Sequence, residues 1–228
     1  MAKKKSERIL ALKIVRAGGH SSHGFVWPLI VGATVTAPDW RPTKECSGGL
    51  HAWKDGEGDV SACSYHADEG TIGLVVDADP ADVVDLGDKI KMRECVILFV
   101  GTVREAAAWL SAKRPKAKVI YGSQVSGDGG TSTSGDRGTS TSGDRGTSTS
   151  GYCGTSTSGS GGTIAVLYYD RTASVYRKKI AECDPNGPVK PWRRYKLDDA
   201  GAWVDCGEVP ESERPGAVLS AAYAKVKK

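Results

Sequence analysis

The sequence predicts an α+β protein that is mostly β. We expect a small mixed N-terminal domain, a short two-layer β-solenoid of octapeptide repeats and a C-terminal β-hairpin cap. The supporting observations are five octads in constant phase over residues 127–166, strand-like runs punctuated by Gly and Pro on both sides of them, and one clear helix signal. The predicted boundaries are 9–120 for the mixed domain, 121–166 for the solenoid, 167–209 for the cap, and 1–8 and 210–228 for basic or flexible tails.

The mixed domain carries several strand signals and one helix signal. Residues 24–27 and 71–79 are rich in apolar and β-branched side chains and are followed by Pro. Residues 95–100 are continuously apolar, as in a strand buried on both faces. Thr102 and Glu105 have the spacing of a capping box, so we expect a helix over residues 106–112 that ends before Pro115.

The repeat is the strongest signal in the chain. Gly-Asp-Arg-Gly-Thr-Ser-Thr-Ser occurs twice in succession, at 135–142 and 143–150, between three degenerate copies. Eight residues are too few to wrap a closed coil, whereas two octads supply two strands and two turns, about 16 residues per coil. Five octads therefore predict about two and a half coils. An antiparallel meander with Gly-Asp-Arg-Gly turns is the alternative.

The last octad indicates which side chains face inward. Ile164 and Val166 occupy the two Ser positions there. Apolar side chains at these positions indicate that the Ser positions face the interior, which adjoins an apolar core at this end. The inward side chains are then Ser132, Ser134, Ser140, Ser142, Ser148, Ser150, Ser156 and Ser158. The outward ladders, which form the predicted binding surface, are Thr131, Thr133, Thr139, Thr141, Thr147, Thr149, Thr155 and Thr157.

The two-layer coil also predicts what stacks at its edges. Asp128 lies beneath Asp144 and then Ser160, while Asp136 lies beneath Tyr152 and Arg137 beneath Cys153. Stacked carboxylates repel unless they are compensated. We expect turn amides and Arg145 to compensate them without a metal, because the array lacks the second acidic residue of calcium-binding nonapeptide repeats.

Composition excludes some classes of function. The net charge is +4, from 31 basic and 27 acidic residues, and this excess alone is too small to indicate nucleic-acid binding. The basic residues of the two tails could still contact phosphate groups. No apolar run is long enough for a membrane span. Lys13 interrupts the apolar stretch near the start, which argues against a secretory signal and favours a cytoplasmic protein with reduced thiols.

Three clusters are weaker candidate sites. Trp40, Arg41, His51 and Trp53 could form a nucleotide-binding loop. Trp192, Arg193, Arg194 and Lys196 interleave aromatic and basic side chains, a pattern that can contact nucleic acid. A zinc site at Cys46, His51, Cys63 and His66 is an alternative, although their spacing matches no standard zinc finger. Otherwise we expect no cofactor.

The arrangement resembles a family of uncharacterised phage and prophage proteins. Three features carry this resemblance: Cys-Ser-Gly-Gly-Leu-His-Ala at 46–52, the array at 127–166, and Lys-Pro-Trp-Arg-Arg-Tyr-Lys-Leu at 190–197 followed by Gly201. Relatives often have Ala where this array has Ser, and Cys where this chain has Trp53. The resemblance implies a phage origin and a cytoplasmic role in an infected or lysogenic host cell, and it implies no established activity.

We expect an interaction protein more than an enzyme. The leading hypothesis is that its rigid repeat surface binds a host protein or protein complex. Inhibition of a host defence protein would be one case of such binding. The solenoid edges could in addition join copies of the chain into oligomers. One alternative is a nucleotide-binding or ADP-ribosyl-transferase-like enzyme centred on the Gly-Leu-His loop. A second is ice binding by the Thr ladders.

Overall fold

The computed structural model describes residues 7–59 and 70–218. It confirms an α+β protein that is mostly β, with sixteen strands among the described residues and an α-helix of eleven residues, and residues 215–218 at the end of the described chain are also helical. The chain forms two compact units that meet in sequence between Ile120 and Tyr121.

The N-terminal unit is built on a seven-stranded antiparallel sheet of order β2-β7-β4-β1-β3-β6-β5. The strands are β1 (Ile9–Arg16), β2 (Thr34–Thr36), β3 (Leu50–Lys54), β4 (Thr71–Ala78), β5 (Val83–Asp85), β6 (Ile90–Met92) and β7 (Glu94–Gly101). Its core is continuous across the central strands, where Ala11, Leu74 and Ile97 are fully buried.

Residues 24–27 do not form the predicted strand. Only a single bridge joins His20 to Val26, because Gly24 turns the chain at a φ of +79° and Pro28 lacks an amide hydrogen for a ladder. Conversely β3, which contains His51, is a paired strand in a segment that the sequence suggested was a loop.

The helix α1 (Val103–Lys113) begins with the predicted capping box. The Thr102 hydroxyl accepts a hydrogen bond from the Glu105 amide, and the Glu105 carboxylate accepts one from the Thr102 amide. The helix packs closely on β4 at Gly73, where an added methyl group would lie 2.7 Å from the Ala106 side chain. Glycine at this position therefore lets the helix approach the sheet.

The second unit contains a parallel two-layer solenoid with a repeat of 16 residues. One layer pairs β8 (Ser123–Ser126), β10 (Thr139–Ser142) and β12 (Thr155–Thr157). The other pairs β9 (Thr131–Thr133), β11 (Thr147–Tyr152) and β13 (Thr163–Asp170). The parallel register excludes the antiparallel meander.

The solenoid has three coils and not two and a half. Residues 121–126 supply the additional half-coil: Tyr121 donates its amide hydrogen to the Asp136 carbonyl, and β8 lies in register with β10. Tyr121 has a φ of +60°, matching Arg137 and Cys153 at +54°, which follow it at intervals of 16 residues.

The interior contains serine, as predicted. All eight inward serines are buried, and so are Ile164 and Val166. Hydroxyl pairs link the two facing layers: Ser132 Oγ lies 2.7 Å from Ser140 Oγ, and Ser156 Oγ lies 3.0 Å from Ser150 Oγ. A serine side chain is short enough for the two sheets to approach closely, and backbone ladders with these hydroxyl bonds replace much of an apolar core.

Two antiparallel hairpins cap the solenoid. In the first, β14 (Val175–Glu182) extends the layer that ends in β13; in the second, β15 (Arg193–Leu197) and β16 (Trp203–Glu208) extend the layer that ends in β12. The result is a four-stranded and a five-stranded sheet. Cys183, Val189 and Tyr195 pack with Ile164 to form a small apolar core beneath the caps.

Candidate functional site

The threonines of the four-stranded sheet form an open, regular surface. Thr131, Thr147 and Thr163 lie opposite one another in one row, and Thr133, Thr149 and Ala165 in the next. The threonines of both rows are exposed or half-buried. We define Thr131, Thr133, Thr147, Thr149 and Thr163 as the Thr face. Thr163 was absent from the predicted surface although it occupies the same octad position as the others.

The five-stranded sheet offers much less accessible hydroxyl surface. Thr139 and Thr155 are half-buried, with their Oγ1 atoms 3.2 Å apart. Thr157 is completely buried and donates its hydroxyl hydrogen to the Arg193 carbonyl on the neighbouring cap strand, while Thr141 is only 6% exposed. The eight predicted threonines are thus divided between two faces, and Thr141 and Thr157 differ from the expectation that all lie at the surface.

Beyond the Thr face, the same side of the sheet becomes apolar. Ile180 on β14 lies opposite Ala165 and is 62% exposed, and Tyr176 lies opposite Tyr169. The Tyr176 ring also packs edge-on against Tyr152 at a centroid distance of 5.7 Å. An exposed aromatic and aliphatic border therefore adjoins the hydroxyl rows.

Carboxylates stack along the solenoid edges as predicted. Asp128 Oδ1 accepts a hydrogen bond from the Asp144 amide at 3.0 Å, and Asp144 Oδ1 accepts one from the Ser160 amide at 2.8 Å. Asp136 accepts the Tyr152 amide in the same way. Each carboxylate is compensated by the amide of the next coil, whereas Arg145 makes no ion pair with Asp128 or Asp144 in the described structure.

Removing divalent ions is expected to leave the melting temperature unchanged, because backbone amides already donate hydrogen bonds to the stacked carboxylates. Across residues 7–59 and 70–218, no group of three or more side chains is placed to hold a metal ion. Thermal unfolding followed by circular dichroism with and without excess EDTA provides the measurement. A decrease of several degrees would show that an ion contributes to the edges.

The predicted nucleotide loop borders a cavity of about 670 Å³ within the N-terminal unit. His51 and Trp53 on β3 contribute to its lining. Trp40 and Arg41 support the wall: an added methyl group at Gly49 would lie 3.2 Å from the Trp40 ring, and one at Gly48 would lie 3.0 Å from Arg41 Cγ. Sequence reasoning missed the cavity's lysines, Lys13 and Lys89, because strand pairing brings them from distant segments.

His51, in the lining of this cavity, has a strongly lowered pKa. Burial, and to a smaller extent the positive charges of Lys13, Lys89 and Lys91, lower its pKa to about 4, although a backbone hydrogen bond with Gly49 acts in the opposite direction. The imidazole is consequently neutral at pH 7, and its Nε2 lies 4.0 Å from Cys46 Sγ.

Acidification should destabilise the fold partly through His51. Between pH 6.5 and 4 the unfolded chain binds a proton at this residue and the folded chain does not, so the free energy of unfolding falls as the pH falls. Urea unfolding at pH 7 and pH 5 should show a smaller difference for His51→Gln than for the wild type. His23→Gln, at an exposed histidine of the same unit, serves as the control. An unchanged pH dependence in His51→Gln would contradict the lowered pKa.

The predicted zinc set can be described only in part. Cys46 and His51 are adjacent, whereas Cys63 and His66 lie outside the described residues.

The basic and aromatic strand is largely engaged within the protein. Arg193 pairs with Asp205, Arg194 pairs with Glu213, and the Arg214 guanidinium lies 5.1 Å from the Trp192 ring centroid. Lys196 is exposed on β15. These ion pairs neutralise two of the three cations that the sequence offered for contact with nucleic acid.

No helix in the described part of the chain is long and apolar enough to cross a membrane.

Comparisons with known proteins point to one group. No family model matches the chain, and no solved structure matches it. The ice nucleation protein InaU of Pantoea ananas is 29% identical over 106 residues, which is 46% of this chain and 10% of the relative. An ice nucleation protein of Enterobacter agglomerans is also 29% identical over 106 residues, 46% of this chain and 8% of the relative. The chain therefore spans about a tenth of the length of these relatives and is similar to part of them.

Proposed function

We propose that the Thr face binds ice. The observation that carries the proposal is the in-register pairing of Thr131 with Thr147 and Thr163, and of Thr133 with Thr149. Neighbouring strands lie about 4.8 Å apart, and alternate residues along a strand about 6.7 Å apart. The face therefore repeats hydroxyl and methyl groups in two dimensions, as a crystalline arrangement of water requires.

Threonine suits this role because its position is fixed before water arrives. A β-branched side chain has few χ1 rotamers, so little conformational entropy is lost when its hydroxyl engages ordered water. The parallel ladders and buried Ser150, whose hydroxyl accepts a hydrogen bond from Ser156, hold the strand beneath the face in place. The methyl groups cover the area between hydroxyls with apolar surface.

The similarity to ice nucleation proteins supports the proposal without extending to their whole activity. Only three coils carry the Thr face here, and the chain spans about a tenth of those relatives. A small template holds only a small patch of ordered water, which melts more readily than a large one. We therefore expect this chain to bind existing ice and slow its growth, with little nucleation of new ice.

Thermal hysteresis and the shape of a growing ice crystal test the proposal. Wild-type protein should separate the melting and growth temperatures and facet the crystal, and the double variant Thr147→Lys/Thr149→Lys should lose both effects. Lysine cannot occupy the ice-like positions and carries a strongly hydrated charge. Thr172→Lys, in an exposed turn outside the strands, is the matched control and should keep wild-type behaviour. Absence of hysteresis and faceting in the wild type would overturn the proposal.

Binding of a host protein is a second candidate function. It is favoured by the exposed Ile180 and Tyr176, which continue the same side of the sheet with the apolar and aromatic side chains typical of protein interfaces. The variant Ile180→Lys separates the two functions. If the face binds a protein, Ile180→Lys and Thr147→Lys/Thr149→Lys should both lose the same partner from host lysate. If it binds ice alone, Ile180→Lys should keep most of the hysteresis.

A further inference from the structure

We propose that the cavity of the N-terminal unit is a binding site for a phosphorylated ligand with a flat aromatic ring, for which a nucleoside diphosphate is the simplest probe. This inference is independent of the function of the Thr face. It rests on the cavity's size, its excess of cations, its aromatic wall and the fixed loop that closes one side.

The volume suits such a ligand. Small-molecule sites usually enclose about 300–1,000 Å³, and this cavity encloses about 670 Å³. All of its lining residues belong to the N-terminal unit, from Lys13 to Lys89. One folded unit therefore provides the whole site.

Its charge favours an anion. Lys13 and Lys89 line the cavity, while Asp39 is the acidic side chain among the lining residues. Asp39 Oδ1 already accepts a hydrogen bond from the Gly49 amide at 3.1 Å, and Lys89 lies 3.7 Å from Asp88. The lining therefore carries more positive than negative charge, and a third lysine, Lys91, acts with Lys13, Lys89 and the larger effect of burial to lower the pKa of His51.

The third of these lysines lies beneath the wall. Lys91 is completely buried, and its ammonium group donates hydrogen bonds to the carbonyls of Glu45 and Ser47, both at 2.8 Å. Within the described chain no carboxylate forms an ion pair with it. Burying a charge without a counter-ion is costly. Lys91 does not line the cavity, so a bound anion would reduce that cost through its charge and not through direct contact.

Lys91 also fixes the loop that carries Cys46. Its two carbonyl partners stand immediately before and after Cys46, so the thiol is held 4.0 Å from His51 Nε2. A wall held in this way needs little reorganisation when a ligand binds.

Aromatic side chains of the cavity wall could contact the flat ring of the proposed ligand. Phe25 is half-buried at the cavity and packs edge-on against Trp27 at a centroid distance of 5.8 Å, and Lys13 Nζ lies 5.6 Å from the Trp27 ring centroid. The Phe25 ring offers flat apolar surface and the neutral His51 imidazole a second flat ring, and both line the same cavity as Lys13 and Lys89. A ring attached to a phosphate can therefore contact both kinds of group at once.

Calorimetric titration with adenosine diphosphate, adenosine and pyrophosphate tests the proposal. We expect the diphosphate to bind more tightly than either fragment, and Lys89→Met to weaken its binding about tenfold. Phe25→Ala should weaken the diphosphate and leave pyrophosphate unchanged. Lys178→Met, on an exposed position of β14, is the matched control and should bind as the wild type does.

Alkylation of Cys46 by iodoacetamide gives a second readout. Adenosine diphosphate should slow modification of Cys46 and leave the exposed Cys153 and Cys206 of the other unit unaffected. Equal affinity of Lys89→Met and wild type, no heat with any of the three probes, or equal slowing at all three cysteines would overturn the proposal. Equal affinity for pyrophosphate and the diphosphate would overturn the assignment of an aromatic ring.

Discussion

Replacing Ser140 by leucine is expected to lower the free energy of unfolding by about 4 kcal/mol and the melting temperature by about 8–16 °C. Ser140 is completely buried between the two sheets, with its hydroxyl 2.7 Å from that of Ser132 on the facing layer. Leucine would force the sheets apart along their backbone ladders, and it would leave the Ser132 hydroxyl without this partner. Thermal and urea unfolding followed by circular dichroism measure both quantities.

Ser148→Ala is the informative companion variant. The Ser148 hydroxyl is buried, and its oxygen has no hydrogen-bond partner. Its removal should leave stability unchanged or raise it by up to about 1 kcal/mol, since an unsatisfied buried hydroxyl is destabilising. If Ser140→Leu were tolerated as well as Ser148→Ala, the layers would have room for large side chains, contrary to the close approach described above.

Gly143→Ala is expected to cost about 3 kcal/mol, or about 6–12 °C in melting temperature. An added methyl group would lie 2.5 Å from the Asp128 amide nitrogen of the preceding coil and would also collide with the Asp128 carboxylate. That carboxylate cannot turn away freely, because it accepts the Asp144 amide across the same turn. The clash is therefore with fixed atoms of the stack and not with a flexible side chain.

The control for this substitution is Gly216→Ala. An added methyl group there meets no atom within 4 Å, so the melting temperature should stay within about 2 °C of the wild type. The same loss of stability at Gly143 and Gly216 would mean that the coils do not stack as tightly as the Asp128 contacts indicate.

Where the repeat was regular, the sequence predicted the fold in detail. The constant phase of Thr and Ser was enough to predict the 16-residue coil, and the change to Ile164 and Val166 identified the interior. The predicted solenoid bounds included residues 121–126, but the coil count omitted them because Ser123-Gln-Val-Ser126 departs from the Thr-Ser pattern. Only Gly122 and Ser126 match the residues at the same positions of the octad. Backbone pairing in the structure tolerates this departure, since a ladder depends on main-chain atoms.

The candidate sites were less predictable because they depend on distant segments. Burial of Thr157 results from a cap strand that begins 36 residues later, at Arg193. His51 and Trp53 were recognised by their local pattern, but Lys13 and Lys91 reach the same region through the neighbours of β3 in the sheet. Spacing along the chain carries no information about such pairings.

The 16-residue register constrains how genetic duplication or deletion can change the length of the array. Unequal recombination between the identical octads at 135–142 and 143–150 would remove eight residues and place β13 against the wrong layer. Because β14 pairs with β13, this hairpin would move to the other layer with it. Neither layer would then pair with the cap strands that it has in the present structure. Loss or gain of two octads keeps β13 beside a strand of its own layer. Viable length variants of this protein should therefore differ by whole coils, with the number of octads changing in twos.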